Sequence, residues 1–107
     1  MWEPKTNLAL WYEKELKRRG HRATKIQIAV AEAAASLSGP TIAQVQREVG
    51  GYLGIGGPSV FPVRANLERL VEWGAVRKDR EPCAGHRGGV PYRYYVVLEG
   101  CSEWEDD

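Results

Sequence analysis

The 107-residue chain alternates between two hydrophobic rhythms. Its first two thirds repeat at helical spacing. Leu8, Trp11, Tyr12 and Leu16 mark one helix over Thr6 to Arg19, which Gly20 stops. Thr24 opens a second with Gln27 three residues on, a capping-box pattern, and Ile28, Ala29, Ala33 and Leu37 follow before Gly39-Pro40 ends it. Thr41 with Gln44 repeats the pattern for a short third helix along Ile42, Val45 and Val49, with Gly50 and Gly51 as its terminators. Ser59 to Trp73 is the fourth, with Val60, Val63, Leu67, Leu70 and Val71 on one side and Gly74 as the stop. Pro62 limits where this helix begins. With Ser59 as N-cap, Pro62 is the third helical residue, whose N–H has no intrahelical partner to lose. The rhythm then becomes strand-like at "AVRKDRE" (75–81) and "PYRYYVVL" (91–98), two strands joined by a glycine-rich loop into a hairpin.

One stretch between the helices invites a different chemistry. "GGYLGIGGPS" (50–59) is half glycine, as phosphate-cradling loops are. Its context is wrong for a nucleotide, because no strand precedes it and no lysine follows at the P-loop spacing. It is the turn between two helices, longer than the usual three or four residues, with Tyr52, Leu53 and Ile55 expected to anchor it.

Helix, turn, helix and hairpin over Pro40 to Val97 resemble a winged helix-turn-helix domain. The resemblance is most specific at "LERLVEWGAVRKDRE" followed by the glycine-rich hairpin and "YRYYVVL". There Leu67, Leu70, Gly74 and Val76 match the end of a recognition helix, the turn and the entry to the wing. The expected fold is therefore mainly α with a small antiparallel β-hairpin, a winged helix-turn-helix preceded by an extra N-terminal helix. A single domain spans 1–98, with the helix-turn-helix at about 41–73 and the wing at about 75–98. Residues 99–107 form an acidic tail.

The resemblance implies sequence-specific binding of double-stranded DNA by a transcriptional regulator. A recognition helix enters the major groove, where its early residues reach base edges and later ones approach the backbone. Phe61 is the candidate for contact with a thymine methyl, Arg64 for guanine or phosphate, Arg69 for phosphate, and Ser59 for a phosphate at the helix N-terminus. Gln44, Gln46 and Arg47 on the third helix are candidate backbone contacts. The wing offers Arg77, Lys78, Arg80, His86, Arg87 and Arg93, with the His86-Arg87 tip placed for the backbone or a narrow minor groove. Phe61, Pro62, Ala65, Glu68, Arg69 and Glu72 are expected to point outward. Glu68 and Glu72 oppose DNA there unless they pair with Arg64 and Arg69.

Charge and composition adjust this picture in small ways. The net charge is +1, but five acidic groups sit in residues 99–107, so the rest carries fifteen basic against nine acidic side chains. A basic body suits an anionic partner. The preference for Arg and Glu over Lys and Asp, with only two Asn, leans toward a heat-adapted source. No apolar run approaches the ~20 residues of a membrane span and no signal-peptide core opens the chain, so a cytoplasmic location is expected. Cys83 and Cys101 can pair or stay free. Cys83 and His86 have ligand-like spacing, but only Cys101 and His21 remain to complete a zinc set, and no metal or cofactor is expected. An enzyme is not expected either, because no nucleophile has a base partner and no βαβ unit is present. The aromatic face of the first helix, with Trp2 and Trp11, needs a cover, either its own domain or a second subunit, and a homodimer is favoured. The alternative function is a winged-helix module for protein contact. It would show an apolar patch at Tyr52, Leu53, Ile55 and Phe61, where DNA binding would show a positive patch at Arg64, Arg69, Arg80 and Arg87.

Overall fold

Residues 3–54, 59–80 and 92–98 are described by a computed structural model of the chain. Four helices, α1 (Asn7–Arg18), α2 (Lys25–Ser36), α3 (Ile42–Leu53) and α4 (Val60–Glu72), precede strands β1 (Val76–Arg80) and β2 (Tyr92–Val96).

The core is arranged around α2. Every residue from Ile28 to Ala35 is buried, and the elements packed on this helix are α1, α3, α4 and β2. A helix that is apolar nearly all round belongs in the centre, and its run of alanines lets the neighbours approach closely. One polar side chain interrupts that run. Glu32 is 4% exposed, and its Oε1 accepts hydrogen bonds from the Lys5 N–H (3.0 Å), the Thr6 N–H (2.9 Å) and the Thr6 hydroxyl (2.9 Å). Thr6 Oγ1 in turn accepts from the Ala9 N–H, as the N-cap of α1. A carboxylate from the central helix therefore sits at the positive end of α1 and ties that helix down.

α1 buries Leu8, Ala9, Tyr12 and Leu16, so its own domain covers most of its apolar face. Trp2 lies outside the described residues.

The third helix is longer than its sequence predicts. It continues through Gly50 and Gly51 to Leu53, and the left-handed residue that ends it is Gly54 (φ 66°). Gly50 is buried in line with Val45 and Val49, so packing of this face outweighs the low helix propensity of two glycines. Tyr52 and Leu53 are half-buried on the last turn of α3, not in a loop, and the connection to α4 starts at Gly54. Ile55 lies outside the described residues.

α4 begins where Pro62 requires. Ser59 is the N-cap, its Oγ accepting from the Phe61 N–H at 3.3 Å. The helix ends in a tight pair of bonds around Gly74 (φ 81°). The Gly74 N–H donates to Val71 O and the Ala75 N–H to Leu70 O, each at 3.0 Å. This turn directs the chain into β1. β1 and β2 pair antiparallel with Val76 opposite Val96, Lys78 opposite Tyr94 and Arg80 opposite Tyr92. The connection between α2 and α3 adds a further bond along β2, from the Tyr94 N–H to Pro40 O at 3.0 Å.

Candidate nucleic-acid interface

Side chains on α4 divide into a buried stripe, two flanks and an outward face. Val63, Asn66, Leu67 and Leu70 form the stripe. Val60, expected in it, is 38% exposed, because at 100° per residue it lies well to the side of the stripe's centre. Phe61 is 77% exposed and is the most exposed large apolar side chain among the described residues. Arg64, Ala65 and Glu72 are exposed with it. The first five residues of α4 therefore include an exposed aromatic ring and an exposed guanidinium.

The first flank meets the hairpin. Both oxygens of Glu68 lie 3.1 Å from Lys78 Nζ, and Oε2 also accepts from the Tyr94 hydroxyl at 2.9 Å. Glu68 thus pairs with the wing and not with Arg64, since Lys78 and Tyr94 stand opposite each other on the sheet face turned to α4. Burial, and then the hydrogen bond to Glu68, raise the Tyr94 hydroxyl well above the usual tyrosine range, and the nearby Arg64 charge partly offsets this.

Toward the tip, Lys78 Nζ and the Arg80 guanidinium lie 4.8 and 5.8 Å from the centre of the Tyr92 ring. The contact from Arg80 to the Tyr92 hydroxyl is long, at 3.5 Å, and lowers that hydroxyl's pKa. On the opposite face of the hairpin, Arg77 pairs with Asp79 at 2.8 Å and lies over Tyr95, while Arg93 donates to Gly39 O at 2.8 Å. Among the described wing cations, Arg77, Lys78 and Arg93 are therefore engaged within the protein, and Arg80 is exposed with only a weak hold. His86 and Arg87 lie outside the described residues, as do Cys83 and Cys101.

The second flank meets α1. The Tyr12 hydroxyl donates to Asn66 Oδ1 at 2.7 Å, and Asn66 Nδ2 donates to Pro62 O at 2.7 Å. Burial raises the Tyr12 pKa, with Arg69 nearby acting in the opposite sense. Trp73, at the C-cap of α4, packs edge-on against Tyr12 (5.7 Å between centroids), with Arg19 4.2 Å and Arg69 5.7 Å from its ring centre. Arg69 is therefore half-buried on the α1 side, away from Arg64 and Arg80, and it contacts Trp73 in place of the expected pairing with Glu72.

On α3, Gln44 and Arg47 are exposed. Gln44 closes a capping box: its Oε1 accepts from the Thr41 N–H at 2.9 Å, and its own N–H donates to Thr41 Oγ1 at 3.3 Å. Its amide NH2 can still donate outward. Gln46 is half-buried.

Among the described residues, the cations on the wing side without a close acidic partner are Arg64 and Arg80, while Arg69 stands on the other flank. Among the described residues of the apolar alternative patch, Phe61 is 77% exposed, and Tyr52 and Leu53 are half-buried. Sequence reasoning missed Glu32 and Asn66. Both were visible as single polar residues inside otherwise apolar helical stripes, at Ile28-Glu32-Ala35 and Val63-Asn66-Leu70.

A solved structure described as "Structure of GAS PerR-Zn-Zn" aligns with this chain at a TM-score of 0.64 and 17% sequence identity. The alignment covers 85% of this chain and 54% of that one, so the chain spans about half the length of its neighbour. At this identity the likeness establishes the fold, four helices and an antiparallel hairpin in a winged-helix-like arrangement. No family model matches the sequence, and no curated protein matches it.

Proposed function

We propose that this chain binds double-stranded DNA sequence-specifically, as a transcriptional regulator with α4 as its recognition helix. The observation that carries the reading is an α4 held on both flanks, by Tyr12–Asn66 and by Glu68–Lys78–Tyr94, while Phe61 and Arg64 stand exposed in its N-terminal half. Positioned side chains on a rigid helix are what major-groove readout needs. Phe61 then meets a thymine methyl and Arg64 a guanine edge or a phosphate. Ser59 and the first turn of α4 face a phosphate, with Gln44, Arg47 and Arg80 along the backbone. His86 and Arg87 extend the wing contact on the sequence pattern alone, and Arg69 supports Trp73 more directly than it reaches DNA.

Among the described residues, no helix is long and apolar enough to cross a membrane. Burial of the apolar face of α1 within the domain removes the main argument for a dimer through that helix. Two-fold binding at a palindromic site remains the arrangement that would call for a homodimer. Light scattering of the free protein and its DNA complex measures that directly.

The competing reading, protein contact, is favoured by the exposure of Phe61. The two separate on one experiment: selection of binding sites from a random duplex library, followed by titration of wild type and of Arg64→Ala/Arg80→Ala. DNA recognition predicts an enriched sequence and a binding constant that falls steeply with salt, with a shallower slope for the double variant. No enrichment, with no salt-dependent binding by wild type, overturns it.

A further inference from the structure

Glu68 is an acid next to a surface that should attract phosphate. Neither oxygen is free: Lys78 Nζ contacts both, and the Tyr94 hydroxyl donates to Oε2. One carboxylate on α4 thus joins facing residues of both wing strands, since Lys78 is on β1 and Tyr94 is directly opposite on β2. The Glu68 and Lys78 side chains are 39% and 31% exposed, and ion pairs this open to water add little to stability. Geometry and charge balance are what such a junction supplies. Without Glu68, Lys78 would be a mobile ammonium beside Arg64 and Arg80, able to hold phosphate on any sequence.

We propose that Glu68 is a positioning residue that sets sequence discrimination: it fixes the wing against α4 and withdraws the Lys78 charge from the phosphate-facing surface. This rests on the DNA-binding reading above. The neutralised cation lowers affinity for right and wrong sites alike, while the fixed wing holds α4 so that Phe61 and Arg64 meet the bases in register, which is where right and wrong sites differ. Tyr94 supplies the angular part of the clamp and Lys78 the charge part.

The test compares wild type, Glu68→Gln, Tyr94→Phe, Lys78→Gln and the Glu68→Gln/Lys78→Gln double variant. Each is titrated against the duplex most enriched by wild type and against a scrambled duplex of the same composition, over a range of salt. Glu68→Gln should bind the scrambled duplex several-fold more tightly at low salt, with a log–log salt slope steeper by about one. Its preference for the enriched duplex should fall about tenfold, and the double variant should return the slope to the wild-type value. Tyr94→Phe should lower the preference while leaving the slope unchanged, and Lys78→Gln alone, which leaves the Glu68 carboxylate without its cation, should weaken binding to the scrambled duplex. Thermal melts of each variant identify loss of folding, and Tyr94→Phe and Lys78→Gln read the two parts of the clamp separately. A Glu68→Gln protein with wild-type slope and preference overturns the proposal while leaving DNA binding intact. Wild type that prefers no duplex overturns both.

Discussion

Removing the Glu32 carboxylate, one of three buried polar side chains among the described residues, should destabilise the fold strongly. Three donors converge on Glu32 Oε1, two of them from Thr6, which is 6% exposed. In Glu32→Ala the Lys5 N–H can turn to water, since Lys5 is exposed, but the Thr6 N–H and hydroxyl lose their acceptor within the protein. A buried donor left unsatisfied costs about 1–3 kcal/mol, and the charge-assisted bonds lost are the stronger kind. Loss of the anion at the N-terminus of α1 adds roughly 0.5 kcal/mol. Relaxation of the first turn of α1 offsets part of this, which leaves about 3 kcal/mol. For a domain of this size that is a fall in Tm of roughly 10–25 °C. Glu32→Gln keeps an acceptor oxygen in place and should lose only about 1 kcal/mol. Urea unfolding followed by circular dichroism measures both variants. Glu32→Ala within about 0.5 kcal/mol of wild type would refute the claim that Glu32 anchors α1.

Other parts of the structure are open to similar tests. Tyr12→Phe leaves Asn66 Oδ1 without its donor and should cost about 1–2 kcal/mol in the same unfolding experiment; no measurable change would mean that the α1–α4 contact is carried by apolar packing. Gly39 has φ 60°, and a Cβ there would lie 2.5 Å from Tyr95 Cε1, so Gly39→Ala should lose about 1–3 kcal/mol. A neutral or stabilising result would contradict both the left-handed backbone strain at Gly39 and the close approach of the Tyr95 ring. Burial raises the pKa of Tyr12, Tyr52 and Tyr94. Their stabilising contribution is complete below the ordinary tyrosine value of about 10 and is lost as pH climbs toward the higher folded values. Stability should therefore decline above about pH 10, less steeply in Tyr94→Phe, and a flat profile up to pH 11.5 would contradict the burial argument.

Much of this architecture is legible in the sequence, and the exceptions have physical causes. Pro62 limits the start of α4, because a cap at Ser59 or slightly later leaves that proline in the first turn while a start at Pro58 does not. The end of α3 was misplaced because Gly50 and Gly51 look like terminators, while the sequence also offers Gly54. Packing of Gly50 beside Val49 carries the helix past the first two and leaves the left-handed position to the third. Helical spacing puts Arg64 at the edge of the outward face, and the outward position of Phe61 follows from that spacing alone. The partners of Glu68 and Arg69 did not, because within a helix each has an opposite charge one turn away. The partners they adopt, Lys78 and Tyr94 for one and Trp73 for the other, depend on where the wing and α1 pack. Glu32 and Asn66 stood out only as polar interruptions of apolar stripes, and spacing cannot say which distant donor or acceptor satisfies them.

The central claim is that the free N-terminal face of α4 reads DNA. Its most direct measurement is the affinity of Phe61→Ala and Arg64→Ala for the enriched duplex and for single-base variants of it, at fixed salt. The account predicts that each substitution weakens binding by about 1–3 kcal/mol and removes discrimination at one or two base positions, with the rest of the preference kept. Base preferences that match wild type at every position in both variants would contradict it.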